Sequence, residues 1–532
     1  MLLRYRYAII HDDMFVRKKT VQGRTYVQVV ENYWEGGKTH QRVIATLGRL
    51  DKLAEDGAIE GVLLSLARLS DKVKVTRDYE EGRLAAGSVI HTGPDLVARR
   101  LWEELGIAEV IKSLAHGRKH SFSLEGAIYL ATLSRLFFPG SDRRAARITR
   151  DYRVSGAEGI ELHHLYRAMA WLGENRERIE EELFDRSRDL FTSLSVVFFD
   201  TTSIYFEGAG GESLGAKGYS KDRRPDENQM VVGMVADQEG RPISCPMWPG
   251  NTTDAKTIVP VAGRLRNKFG VQDLVVVADR GMVGKKNAEA LASLGFGYIL
   301  GVKMRLEKKA MANVLSRAGR FSEVQPNLKV KEVMHEGRRY VVCLNPEEQK
   351  KDKLAREAIV SQLRTKLKKG AGQLVGNTGY RRFLKVTKES VILDEQKIKD
   401  DERFDGKWVL TTNTDLPAAE VAARYKELWM VERLFREAKD TLESRPVFHQ
   451  RDSAIMGHMF VSFLALSLMH ELKRRIDFPA EWDEIRTDLE ALYEVEVESD
   501  GRTFLLRSKL QGIAGKVLKA VGVAIPPSVK VA

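Results

Sequence analysis

Hydrophobic spacing changes its period along the chain, and each change predicts a different kind of element. Residues 24–50, RTYVQVVENYWEGGKTHQRVIATLGRL, begin by alternating apolar and polar positions as a half-buried strand does. Gly36-Gly37 stands between two β-branched runs and predicts a hairpin turn. From about residue 52 to 190 the spacing becomes helical, as in PDLVARRLWEELGIAEVIKSL, with Pro94 placed near a helix start. Beyond 194, short apolar runs alternate with helical stretches, the pattern of a mixed α/β unit. LSVVFFD (194–200) and DLVVVAD (273–279) are continuous apolar runs of the kind that lie in the middle of a sheet. QMVVGMVAD (229–237) and ISCPMWPG (243–250) flank the turn DQEGR as a hairpin. DAKTIVPVAGRLRNKF (254–269) and KKNAEALASLG, which ends at Gly295, read as helices, and FGYILGV (296–302) as a closing strand.

Residues 303–407 interrupt this series with short strands (RRYVVCLNP, YRRFLKV) and a helical stretch from Lys350 to Lys369. The series resumes with the strand KWVLTTN (407–413) and a long helix from about Pro417 to Glu443, followed by a second helix, SAIMGHMFVSFLALSLMHELKRRI. Its apolar run, Met459 to Met469, is too short to span a bilayer and predicts a buried helix. The tail predicts a hairpin around Asp500-Gly501 and a terminal helix. The expected architecture is α/β multidomain: a hairpin region at 1–55, a largely helical region at 56–190, a mixed-sheet core from 191–302 plus 408–475, an insertion at 303–407, and a C-terminal region at 476–532.

Charge narrows the choice of partner. The chain carries 86 Lys and Arg against 74 Asp and Glu, a net +12 that suits a polyanion, because neutralised phosphates release counterions. Arg143, Arg144, Arg147 and Arg150 cluster in the helical region, either as a solvated face or as a DNA-facing surface. The stretch 350–369 holds eight Lys or Arg and two acids, a bias that favours phosphate. Two cysteines, Cys245 and Cys343, leave no disulfide scaffold and no Cys-rich zinc site and fit a reducing cytoplasm. The opening MLLRYRYAIIHDD breaks its apolar stretch with charges and does not read as a signal peptide, so a cytoplasmic, nucleoid-associated protein is expected.

Two acids close apolar runs: Asp200 in FFDTTS and Asp279 in VVVADRG. A carboxylate at a strand end caps a loop or binds a cation, since burying it unpaired is costly. Two of them, at the carboxyl ends of strands that a sheet would place side by side, favour a site. In YKELWMVERLFREAK (425–439), at about 100° per residue, Tyr425, Trp429, Glu432, Arg436 and Lys439 fall in one stripe of a straight helix. One acid among aromatic and basic residues suits neither a core stripe nor a plain solvent stripe.

FFDTTS, then VVADRGM, then Tyr425, Glu432 and Lys439 at that spacing resemble the DDE transposases of cut-and-paste bacterial insertion sequences. The helix signature of that family is Tyr, two residues, Arg, three residues, Glu, six residues, Lys, and here Leu428 occupies the Arg position. GYSKDRRPD (218–226), the SAIMGHMFVSFLAL helix and the opening strands are similar to one branch of it, so the likeness runs along nearly the whole chain. It implies a ribonuclease H-like mixed-sheet catalytic core with a β-rich insertion between the second Asp and the Glu, preceded by a DNA-end-binding helical region. It further implies that Asp200, Asp279 and Glu432 hold two Mg²⁺ or Mn²⁺ ions, with Asp200 bridging, for phosphodiester cleavage and strand transfer. Tyr425, Arg436, Lys439, Lys221, Arg223 and Arg280 are the expected DNA contacts. Trp408 matches a tryptophan that in relatives receives a flipped base, or else is a core strand residue. The implied partners are double-stranded DNA, as terminal inverted repeats and target, and a second copy of the chain. Two rivals share these residues: a ribonuclease H-like nuclease or resolvase, and a DNA-binding descendant that no longer cuts.

Overall fold

The computed structural model describes residues 14–35, 38–55, 57–67, 69–82, 85–117, 121–187, 194–282, 284–369, 378–387, 391–499 and 502–532. The opening segment and the expected turns at Gly36-Gly37 and Asp500-Gly501 lie outside them. The chain forms two compact units.

The first unit joins residues up to Val89 with Tyr493–Lys509 and Pro526–Ala532. Strands Met14–Val21, Arg24–Glu35 and Lys38–Arg49 form an antiparallel sheet; the alternation predicts the second and third, and the first adds an edge to them. Short helices follow at Leu50–Glu55, Ala58–Ala67 and Asp71–Glu80. Ala85–His91, within the span expected to be helical, is instead a strand. It joins a four-stranded sheet with Tyr493–Ser499, Arg502–Arg507 and Val529–Val531. The strand beside it comes from the far end of the chain, so local spacing could not reveal the pairing.

The second unit is built on a mixed ten-stranded sheet. From one edge its order is Ser322–Gln325, Leu328–His335, Arg338–Leu344, Lys407–Thr412, Gly297–Gly301, Val275–Ala278, Val196–Tyr205, Gln229–Asp237 and Pro242–Ser244. Met247–Pro249 also pairs with Gln229–Asp237. Val275–Ala278 runs parallel to both of its neighbours. Val196–Tyr205 lies near the centre, which explains its unbroken apolar run: Phe198 and Ile204 enter one core cluster, Val197 and Phe199 another. Helices Ile258–Asn267 and Lys285–Ser293 cover the second of these faces.

Strands 322–344 do not stand apart as an insertion subdomain. They continue the central sheet through Arg338–Leu344, which pairs with Lys407–Thr412, because an open strand edge gains hydrogen bonds by being extended. Helix Pro346–Lys369 and the small sheet of Leu384–Val386 and Val391–Leu393 follow.

Helix Asp452–Arg475 is long and apolar enough to cross a membrane by composition alone, yet most of its apolar stretch is buried inside the protein. It crosses helix Leu162–Arg186 at two glycines: a Cβ on Gly173 would fall 1.9 Å from Ser453 O, and one on Gly457 1.9 Å from Met169 O. Only glycine allows backbones this close, and the pair docks the helical region onto the core.

Candidate active site

Val196–Tyr205 and Val275–Ala278 are parallel neighbours, with Phe198 opposite Val277 and Phe199 opposite Ala278. Asp200 follows Phe199 and, against the expectation of a strand end, lies in the middle of the ten-residue strand Val196–Tyr205, because the strand continues through DTTSIY; Asp279 directly follows Ala278, the last residue of its strand. Phe198 and Val277 share a core cluster with Val431, Leu434 and Phe435, so the two-residue alternation carries both aspartates to the face covered by helix Trp429–Arg436. Burial pushes the Asp200 carboxyl up to about 6; Lys221 and the Thr201 N–H oppose this, and the charges of Asp279 and Asp254 add to it. The Thr201 N–H donates to Asp200 Oδ1 at 2.7 Å. Tyr425 Oη donates to Asp279 Oδ1 at 2.8 Å, and burial, reinforced by that acidic partner, raises the phenol pKa.

Beside this pair, Asp254 Oδ1 accepts from the Thr201 hydroxyl at 2.7 Å, and its Oδ2 lies 3.4 Å from Lys221 Nζ. Lys221 Nζ also donates to Thr201 O at 2.6 Å and Oγ1 at 3.0 Å. A cleft of about 580 Å³ opens here, lined among others by Tyr219, Lys221, Asp254, Asp279, Arg280 and Lys303. Acids thus form its floor, while exposed or half-exposed cations stand around them.

The helix that brings the remaining residues is not the straight one expected. It divides into Ala418–Lys426 and Trp429–Arg436 and ends in a π-helical turn at Glu437–Thr441. At the join, the Leu428, Met430 and Val431 N–H groups bond three residues back, to Tyr425, Glu427 and Leu428 carbonyls. Such bonds advance the chain by about 120° per residue, and the later π turn underwinds it. The single stripe therefore breaks up. Tyr425 reaches Asp279, Trp429 is 52% exposed beneath Arg433, and Lys439 is drawn to Asp222.

A family model described as the transposase DDE domain matches residues 192–468, more than half of the chain. The chain belongs to the DDE transposase family. A second model, the N-terminal domain of IS1634 family transposases, matches residues 15–79, within the first unit. No curated protein sequence matches. Among solved structures, the piggyBac transposase synaptic complex with hairpin DNA is similar at a TM-score of 0.35 and 8% identity, covering 75% of this chain and 76% of that one. The Mos1 transposase paired-end complex with left transposon end is similar at a TM-score of 0.15 and 13% identity, covering 34% of this chain and 60% of that one.

Within this transposase, the fold brings Asp200, Asp279 and Tyr425 together and leaves Glu432 exposed on its helix. Among the described residues, no three His, Cys, Asp or Glu side chains converge closely enough to hold a metal ion. Lys439, expected to face phosphate, instead donates to Asp222 at 2.7 Å, and Arg445 pairs with the same carboxylate. Asp222 belongs to the GYSKDRRPD loop, so this contact ties that loop to the π-helical turn. Arg436, Arg223 and Arg280 are exposed, with Arg223 at a φ of 59° in the loop and Arg280 at the cleft. Trp408 packs half-buried against the core beneath Lys426, and its indole N–H has no hydrogen-bond partner among the described residues.

The four arginines 143, 144, 147 and 150 are exposed. The basic stretch 350–369 is less uniform than its composition suggested. Arg356 is buried against Asp405, Lys351 pairs with Glu348, and Lys366 lies over the Tyr380 ring. Asp254 and Thr201 were not foreseen. At the head of an expected helix an acid reads as a cap, and the hydroxyls of FFDTTS were the only local hint.

Proposed function

We propose that this transposase cuts and joins the terminal inverted repeats of an insertion sequence at the Asp200–Asp279 pair, with Glu432 completing the acidic set. The observation that carries the reading is the pairing of two aspartates on one face of adjacent parallel strands, one of them held up to about 6 chiefly by burial. Carboxylate oxygens on neighbouring parallel strands are the donors a hard divalent cation prefers, and Asp200, Asp279 and Glu432 would hold Mg²⁺ or Mn²⁺. When bound, such ions activate water or a 3′-hydroxyl and stabilise the leaving oxygen. Tyr425 orients the Asp279 carboxylate. Lys221, Arg280 and Lys303 line the cleft with positive charge for the phosphates on either side of the cut. Exposed Arg436 and the exposed arginines 143, 144, 147 and 150 would add further phosphate contacts, and a second copy of the chain would hold the other DNA end.

The test is a nicking and strand-transfer assay on terminal-repeat DNA in Mg²⁺ or Mn²⁺. Asp200→Asn, Asp279→Asn and Glu432→Gln should each abolish cutting while end binding persists. Near-normal cutting by any one of them removes that residue from the set. A second reading, a DNA-binding descendant that no longer cuts, is favoured by the exposure of Glu432 away from a converged acidic triad. Tight end binding with no cutting by the unaltered protein in either metal would establish it instead.

A further inference from the structure

We infer that Asp254 is a positioning residue that holds the Lys221 ammonium beside Asp200 to receive a DNA phosphate. The inference rests on the reading of Asp200 and Asp279 as the cutting site.

Asp254 is the first residue of the short 3₁₀ turn Asp254–Lys256, after the cap position held by Thr253, where an acid could still bond an N–H of its own turn. This one does not. Its Oδ1 accepts from the Thr201 hydroxyl at 2.7 Å, and its Oδ2 faces Lys221 Nζ at 3.4 Å. Oδ2 also sits where a Cβ on Gly281 would fall 2.8 Å away, so the bare glycine lets the carboxylate lie against the turn that carries Asp279. Asp254 therefore touches both the residue after Asp200 and the turn after Asp279 without being on either strand.

Lys221 is fixed from the other side. Its backbone N–H donates to Ser203 Oγ at 2.8 Å, and its ammonium donates to the carbonyl and hydroxyl of Thr201. An ammonium has three N–H donors. Thr201 takes two and the third side of the charge faces Asp254. Thr201, which holds the ammonium through its carbonyl and hydroxyl, is the residue next to Asp200, so Lys221 is anchored beside that carboxylate. Without Asp254, the strongest anion left to the ammonium would be Asp200 itself, and an Asp200–Lys221 pair would occupy the oxygens that the reaction needs. Asp254 thus keeps the cation near the reacting phosphate and off the reacting acid. On substrate entry a phosphate oxygen would replace the Asp254 contact, a charge-assisted exchange that costs little because one anion succeeds another.

The experiment compares Asp254→Asn, Lys221→Ala, their double variant and Asp200→Asn, all in the full chain. It measures cutting rates in Mg²⁺, metal-free binding of a fluorescent end DNA, and melting temperatures. Asp254→Asn should cut about tenfold more slowly while binding within about twofold of the unaltered protein, and the double variant should cut no more slowly than Lys221→Ala, the non-additivity of two residues acting as one unit. Asp254→Glu, which keeps the charge, should lose less. Additive losses in the double variant, or unaltered cutting by Asp254→Asn, overturn the inference. So does an increased Mg²⁺ requirement in Asp254→Asn that persists in the double variant, since that would make Asp254 a metal ligand. If Asp254→Asn melts early, Asp254→Glu carries the same comparison with Lys221→Ala. An unaltered protein that cannot cut, or an Asp200→Asn variant that can, overturns the site reading and this inference together. A dead Asp200→Asn with additive Asp254 and Lys221 losses overturns this inference alone.

Discussion

The Tyr425 hydroxyl donates a 2.8 Å hydrogen bond to Asp279 Oδ1 across 146 residues of sequence. Gly301 makes room for it: a Cβ there would fall 2.3 Å from the same hydroxyl. The helix that follows the sheet-extending strands is thereby pinned to the end of a central strand. A hydrogen bond to a charged acceptor contributes about 1.5–3 kcal/mol. Tyr425→Phe should keep the fold and slow cutting, and Gly301→Ala should do the same by displacing the phenol. Melting curves and single-turnover cutting rates check both. Full activity in either variant would mean that Asp279 needs no orienting donor.

Leu428, at the family's arginine position, is buried in the core, whereas Arg436 is exposed one turn beyond Glu432. Restoring arginine there would bury an unpaired charge rather than add a phosphate contact. Leu428→Arg should lower the melting temperature. Arg436→Ala should weaken end binding more than Arg433→Ala, because Arg433 is engaged over the Trp429 ring, 5.1 Å from its centroid. Equal small effects on a binding titration would leave this transposase without an arginine contact on that helix.

Arg356, near the middle of helix Pro346–Lys369, forms a buried pair with Asp405. Removing one partner of such a pair costs about 3 kcal/mol or more, because the other charge stays buried. Arg356→Ala should therefore destabilise the protein. The exposed Lys350 and Lys353, changed together to Gln, should leave stability unchanged and flatten the salt dependence of DNA binding by about two in log–log slope. An unaltered slope would make the helix plain solvated surface.

His458 is buried among Arg135, Asp142 and His449, with Arg135 Nη2 3.4 Å from its Nδ1 and Ser444 O 3.2 Å from its Nε2. Burial, and then the charges of Arg135 and His449, push its pKa from 6.5 to about 3. The unfolded chain therefore binds this proton before the folded one does. Stability is full above about 6.5 and is lost as the pH falls toward about 3. Asp142, held below the ordinary carboxylate range by His449 against its burial, adds to the acid loss at the lower end. His458→Asn should be less stable at pH 7 yet show a shallower decline between pH 7 and 4 in thermal melts. A decline as steep as that of the unaltered protein would assign the acid sensitivity elsewhere.

The two acids were legible because burial leaves a local trace. VVFF (196–199) and LVVVA (274–278) are unbroken apolar runs, as a strand covered on both faces requires, and the first polar residue after each is the aspartate. The paired strands 24–49, the succession of strands and helices along the chain after Asp200 and the buried Asp452–Arg475 helix were legible for the same reason. A repeating period reports how each residue's own neighbours divide between core and water.

Partner choice leaves no such trace. Ala85–His91 is a strand because strands from the far end of the chain offer it a sheet, and residues 322–344 extend the central sheet because Lys407–Thr412 presents an edge. Lys439 faces Asp222 across 217 residues, and Asp254 meets Thr201 across 53. The stripe drawn at a constant helical angle failed where bonds to the third residue back and a π turn changed that angle. Sequence alone therefore determined the central strands, the buried helix and the two acids that interrupt or follow the apolar runs of those strands, since these depend on local burial. Tertiary structure decided which charges meet, because a charge pairs with whatever the folded backbone brings within a few ångströms, however far away it lies in the chain.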